Sequence, residues 1–266
     1  MRTFIFFTFL FTCTLLSAQS QLTDSQIKYK LDSILLEGNL IYRYEKAAWI
    51  SNDLAIENKN IKNNFSGYLV YLDNDTVRAL ILNKESECIY EFRFVSQFDN
   101  PISDIVLTRA LSQQEQKLIS IKTTIINKIV EQKIPVVCPE EYNLNMILMP
   151  KDDGYKFYII TGANKSGVIP FGNDYLFLTD DSGSIQSWKF FHSRLIAMDT
   201  KGPNGEEVRE LIHSHLRTEP FISATDICTF KLYGKFCGQN SFQVYSPELG
   251  KYFRYILDSN NIDIIY

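Results

Sequence analysis

His213-Ser214-His215, followed after seven residues by Ser223-Ala224-Thr225-Asp226, is the stretch on which the reading of this chain turns. Successive side chains of a strand point to opposite faces, so His213 and His215 project together while Ser214 points away. Ser223-x-x-Asp226 is a helix-opening pattern. The serine caps the helix, and the acid sits one turn in, where the helix dipole favours it. If the loop between the two motifs folds back, Asp226 becomes the third ligand of an ion already gripped by two imidazoles. Two nitrogens and one carboxylate oxygen suit Zn²⁺ at a catalytic centre, with water in the fourth position. Such an ion lowers the pKa of its water and polarises a substrate carbonyl. The chain has only three histidines, and two of them fall here. The third, His192, follows Trp188 and Phe190-Phe191 and reads as a packed or surface histidine on a strand, not a fourth ligand.

Working outward, a strand over Val208–His213 delivers the histidines, and a helix runs from Ser223 to Gly234. Strands at Ser241–Tyr245 and Tyr252–Leu257 end the chain. Upstream, Ser112 to Glu115 is a capping box opening a helix through Leu118, Ile121, Ile125 and Ile129. Strands are expected at Tyr142–Met149, Lys156–Thr161, Tyr175–Thr179, Ile185–Phe191 and Arg194–Met198. Closer to the N-terminus, Thr23 to Gln26 is a second capping box. Behind it come a helical pattern through Leu35 and another helical stretch over Ile41–Glu57. Three strand-like segments follow, Gly67–Leu72, Val77–Leu82 and Cys88–Val95, the first two joined at Asp73-Asn74-Asp75. The fold class is therefore α/β in the broad sense (α+β). The domains are a small N-terminal α+β unit over 19–107 and a metal-binding domain over 108–266.

Residues 1–18 read as a secretory signal peptide: Arg2, an apolar run through Leu16, and a small-residue exit at Ser17-Ala18. The mature chain is expected to be exported, periplasmic or secreted, after cleavage near Ala18, with no membrane span. A formal net charge of −4 without a polybasic run excludes the concentrated positive surface that nucleic-acid binding needs. Cys88, Cys138, Cys228 and Cys237 could form two disulfides in an exported chain or stand as buried thiols. None belongs to a C-x-x-C pair.

The His-x-His, seven-residue gap and Ser-x-x-Asp arrangement resembles the motif of JAMM (MPN+) zinc metallopeptidases, which are isopeptidases related to deubiquitinases. The resemblance covers roughly residue 112 to the C-terminus and continues through the helix past Ile227 and Phe230, Gly234 and a strand pair. It implies a cytidine-deaminase-type mixed sheet flanked by helices, one Zn²⁺ on His213, His215 and Asp226, and Ser223 supporting the oxyanion. It also implies a general-base glutamate near the start of an early strand. Glu141 stands in that place, with Glu140 as the neighbouring choice. The activity implied is hydrolysis of peptide or isopeptide bonds in a peptide or protein substrate. Two positions depart from the family pattern, Leu144 where a glycine is usual and Leu216 where a proline is. They favour an alternative, a catalytically silent binding module of the same fold. The resemblance also implies a third reading, an exported toxin or effector domain, since JAMM-like domains are used that way as well.

Overall fold

The computed structural model describes residues 22–266 apart from 96–99, 203 and 207. The expected signal peptide lies outside the described residues.

Helix α1 (Asp24–Glu57) is continuous over 34 residues, so the two expected helical stretches are one. By its rise per residue it is about 51 Å long. Its start is fixed by the capping box: Gln26 N donates to Thr23 Oγ1 at 3.3 Å, and Thr23 N donates to Gln26 Oε1 at 2.9 Å. The short α2 (Lys59–Asn64) leads into an antiparallel meander of β1 (Gly67–Asp73), β2 (Thr76–Leu82), β3 (Cys88–Phe94) and β4 (Ser103–Arg109), the last a strand beyond the expected three. Helix α3 (Gln113–Glu131) opens on its Ser112/Glu115 box. Its apolar stripe, Leu118, Ile121, Ile125 and Ile129, lies between the meander's Leu69 and Leu80 and a second sheet's Leu148, Phe157 and Phe177.

That second sheet is antiparallel, in the order β5 (Tyr142–Lys151), β6 (Gly154–Ala163), then β8 (Tyr175–Thr179) and β9 (Ile185–Phe190). Between β6 and β8, β7 (Val168–Gly172) leaves this sheet and pairs with β10 (Leu195–Asp199). A last sheet combines β11 (Ile212–Ser214), β12 (Ser241–Ser246), β13 (Lys251–Ile256) and β14 (Asn261–Ile265), with α4 (Ala224–Tyr233) crossing between β11 and β12. In it β11 runs parallel to β12, and the remaining pairs are antiparallel. The molecule is mixed α+β, with several largely antiparallel sheets and four helices among the described residues.

The strand expected over Val208–His213 shrinks to Ile212–Ser214, because Val208 N bonds Thr200 O at 3.1 Å and so leaves the ladder. Cys88, Cys138, Cys228 and Cys237 are all free thiols, Cys88 and Cys228 buried and Cys138 exposed.

Packing around α4 positions the site. Ile27 and Leu31 of α1 share a core with Ile169, Phe171, Ile227 and Phe230. A Cβ on Gly38 would stand 2.8 Å from Ile227 Cβ and 3.0 Å from Ala224 O. Only glycine lets α1 lie this close to the start of α4.

Candidate metal centre

His213 and His215 alternate with exposed neighbours, as an extended segment dictates. Ile212 and Ser214 face solvent, and both imidazoles are buried. Pairing with β12 carries past β11, since His215 N donates to Tyr245 O at 3.0 Å. The loop after it returns to Ser223, which caps α4. Ser223 N donates to Asp226 Oδ2 at 2.9 Å, Asp226 N to Ser223 Oγ at 3.0 Å, and Ser223 Oγ to Asp226 Oδ2 at 2.7 Å. The capping box thus occupies Oδ2 and leaves Oδ1 aimed inward.

Oδ1 meets two imidazoles. His213 Nε2 lies 3.4 Å away, and His192 Nε2 lies 3.3 Å away. The two Nε2 atoms face one another at 3.3 Å. His215 Nε2 stands 3.0 Å from Asp226 Oδ2 but lacks hydrogen-bond geometry, and it is an orphaned buried nitrogen, as Oδ1 is an orphaned buried oxygen. One atom from each of His192, His213, His215 and Asp226 lies within 4.8 Å of the other three. Their side chains are 0–3% exposed. These four residues could hold one metal ion.

His192, expected as a packed or surface histidine, is buried and lies within the donor group. It sits in the bend after β9, which Gly172 admits. Gly172 has φ +77°, and a Cβ there would meet Arg194 O at 2.3 Å. His192 Nδ1 contacts Asp174 Oδ1 at 2.8 Å. Asp174 Oδ2 accepts from Thr225 Oγ1, whose oxygen is 2.8 Å from Ser223 Oγ. A chain of polar contacts therefore runs from His192 to the cap that orients Asp226. His215 Nδ1 is 3.2 Å from Glu219 O, which fixes that ring. The His213 ring packs on Phe171 and Phe242, and its Nδ1 is buried without a partner.

Burial opposes charge on Asp226, but the three imidazoles overcome it and hold the carboxyl well below the usual carboxylate range. Burial likewise disfavours a charged His192, yet Asp174 and Asp226 raise it well above an ordinary histidine. At His213 burial wins, and the ring is driven toward the neutral form that ligates metal.

The sequence-derived residues His213, His215, Ser223 and Asp226 come together, Ser223 as cap and donor to the carboxylate. Glu141 does not join them. Its side chain is 70% exposed, 3.8 Å from Lys165, at the head of β5, and Glu140 is exposed beside it. The signal that could have found His192 is the histidine count: the cluster uses all three in the chain. No protein-family model matches the chain, and neither does any curated protein or solved structure.

Proposed function

We propose that the protein binds one Zn²⁺ through His192, His213, His215 and Asp226, and that the ion is structural. On this reading the C-terminal half is a JAMM-like domain turned into a non-catalytic binding module. The order His-x-His, Ser-x-x-Asp, helix, strand pair supports the kinship, and Leu144 and Leu216 agree with the loss of activity.

The observation that carries the proposal is a triangle of donor atoms. His192 Nε2, His213 Nε2 and Asp226 Oδ1 are separated by 3.3, 3.3 and 3.4 Å. Ligands about 2.0–2.1 Å from a tetrahedral Zn²⁺ stand about 3.3–3.4 Å apart, so the triangle has the dimensions of one face of that tetrahedron. Catalytic zinc keeps a position for water, whereas structural zinc takes all its ligands from the protein. Here His192 supplies the fourth donor, and the group is buried on every side chain. Zinc bound there would join the β11 end, the bend after β9 and the start of α4.

The test is metal content and stability of the purified chain. One zinc per chain is expected, with a fall in Tm on chelation and recovery when zinc is restored. His213→Ala and His192→Ala should each lose zinc. Zinc-free protein whose Tm ignores added zinc would refute the proposal. A hydrolytic reading stands second, because His192 is the one donor outside the His-x-His and Ser-x-x-Asp set and could yield its place to water. Zinc-dependent cleavage of a peptide or isopeptide by the parent chain would favour that reading over the structural one.

A further inference from the structure

Away from the metal centre, α1, the β5–β6 hairpin and the end of α4 enclose a cavity of about 320 Å³. Its lining is unusual for a gap between helices and a sheet. Four carboxamides, from Asn52, Asn143, Asn145 and Asn164, meet there with the carboxyls of Glu45 and Asp53. Asn52 Oδ1 is buried and has no hydrogen-bond partner. Glu45 is buried on α1, and burial pushes its carboxyl up to about 7 against the lowering influence of Lys122 and Asn145. A carboxyl so placed can both donate and accept near neutral pH.

Trp49 forms one wall, beside Asp53. Trp49, with Asp53 and Leu232, also borders a larger groove of about 1020 Å³, so the two depressions adjoin there. In that groove Phe236 is 81% exposed, with its ring 5.8 Å from Trp49, and Gln239 and Asn240 add further amides.

The chemistry of the lining selects the ligand. No cationic side chain lines the smaller cavity, and the one cation beside Glu45, Lys122, lies in the adjoining pocket, so an anion in the cavity would face Glu45 and Asp53 without a cation to meet it. Asn143 already donates to Asn164, and a cation, which offers only donors, would leave the remaining amide N–H groups without an acceptor. The larger groove carries Lys46, Lys231 and Lys235 alongside Asp53 and Asp258, so its charges are mixed, and Lys231 already donates to Asn39 and Asn260. A molecule whose every polar group both donates and accepts satisfies amides and carboxyls alike. A flat apolar ring face satisfies Trp49 and Phe236. We propose that this cleft binds a neutral oligosaccharide, with one sugar in the polar cavity and the next laid on the Trp49–Phe236 surface.

The chain has two tryptophans, Trp49 and Trp188. Trp188→Phe therefore leaves Trp49 as the only indole reporter in the full chain. This variant is titrated with chitotetraose, cellotetraose and maltotetraose, and with spermidine as a cationic control. One or more of the sugars should give a saturable change in Trp49 fluorescence, and spermidine none. Asn164→Ala, on the exposed rim, and Asn52→Ala should each weaken sugar binding about tenfold, as loss of one well-made hydrogen bond does. Both variants are checked for a parent-like circular dichroism spectrum. Silence toward all three sugars, a response to spermidine instead, or undiminished sugar affinity in both asparagine variants overturns the proposal.

Discussion

His192 reaches the centre from a bend, and Asp174 fixes its ring there, with Oδ1 2.8 Å from Nδ1. Asp174 also accepts from Thr225, so the carboxylate that turns the imidazole is tied to the helix that carries Asp226. A carboxylate behind a ligating histidine sets its orientation and raises its basicity, and losing such a partner lowers metal affinity about 10–100-fold. Asp174→Asn keeps the size and removes the charge. Its zinc affinity, read by competition with a chromophoric chelator, should fall by that factor while the spectrum of the folded chain stays unchanged. Affinity equal to the parent's would show that Asp174 serves folding alone. At this scale part of the site was legible. His213 and His215 share a face because of local alternation, and Asp226 is placed by its own cap. His192 and Asp174 lie far from both motifs in sequence, and long-range strand pairing, β8 with β9 and β7 with β10, together with the turn at Gly172 brings them in.

Among the elements, those that announce themselves by local chemistry were readable. The boxes at Thr23/Gln26, Ser112/Glu115 and Ser223/Asp226 each mark a real helix start. Strand β7 escaped because Pro170 and Gly172 argue against a strand interior, yet Pro170 is tolerated in a two-stranded pair opposite Ala197. The continuity of α1 is set by tertiary packing: Gly38 costs helix propensity of about 1 kcal/mol, and its contact with Ile227 recovers it. Gly38→Ala should improve propensity and still destabilise, because overpacking costs about 1–3 kcal/mol where neither Ile227 nor the Ala224 carbonyl can yield. Urea unfolding measures this, and a stabilised variant would show that α1 can move off α4. The start of α3 gives a pH prediction. Burial alone would raise the Glu115 carboxyl, but Arg109, the Ser112 amide and the Tyr71 hydroxyl together bring it down to about 2. A carboxyl lowered on folding adds stability above its unfolded value of ~4.3, and that stability disappears as pH falls through the native value. Glu115→Gln should therefore be less stable than the parent at pH 7 by about 2 kcal/mol, the scale of charge-assisted hydrogen bonds. The two unfolding curves should converge between ~4.3 and 2. A gap independent of pH would remove the ionised carboxylate as its cause.

For the whole molecule, α1 is the shared element. Its first turns pack with Phe171, Ile227 and Phe230 near the candidate metal centre, and its middle, through Ile41 and Tyr44, packs with Ile147, Tyr158 and Cys228. Its last turns, through Ala47 and Ala55, cover Val77, Ala79, Ile81 and Phe92 of the meander. Sequence patterning assigns α1 to the N-terminal unit because it precedes those strands, and no local signal reports that its stripe serves the other half as well. Burying a large apolar side chain is worth about 1.5–3 kcal/mol, and a domain's net stability is only about 5–15 kcal/mol. A chain over 108–266 would lose the α1 contacts of Ile169, Ile227, Phe230, Ile147 and Tyr158 together, which is more than that margin. This fragment should lack a cooperative thermal transition and hold zinc weakly. A peptide spanning residues 22–57, added in trans, should restore zinc binding and packing in part, since it returns the α1 surface but not the meander that covers α3. The readouts are near-ultraviolet circular dichroism for packing and chelator competition for zinc. A fragment that melts cooperatively and binds zinc as the full chain does would make the C-terminal half self-sufficient, with α1 as a cover.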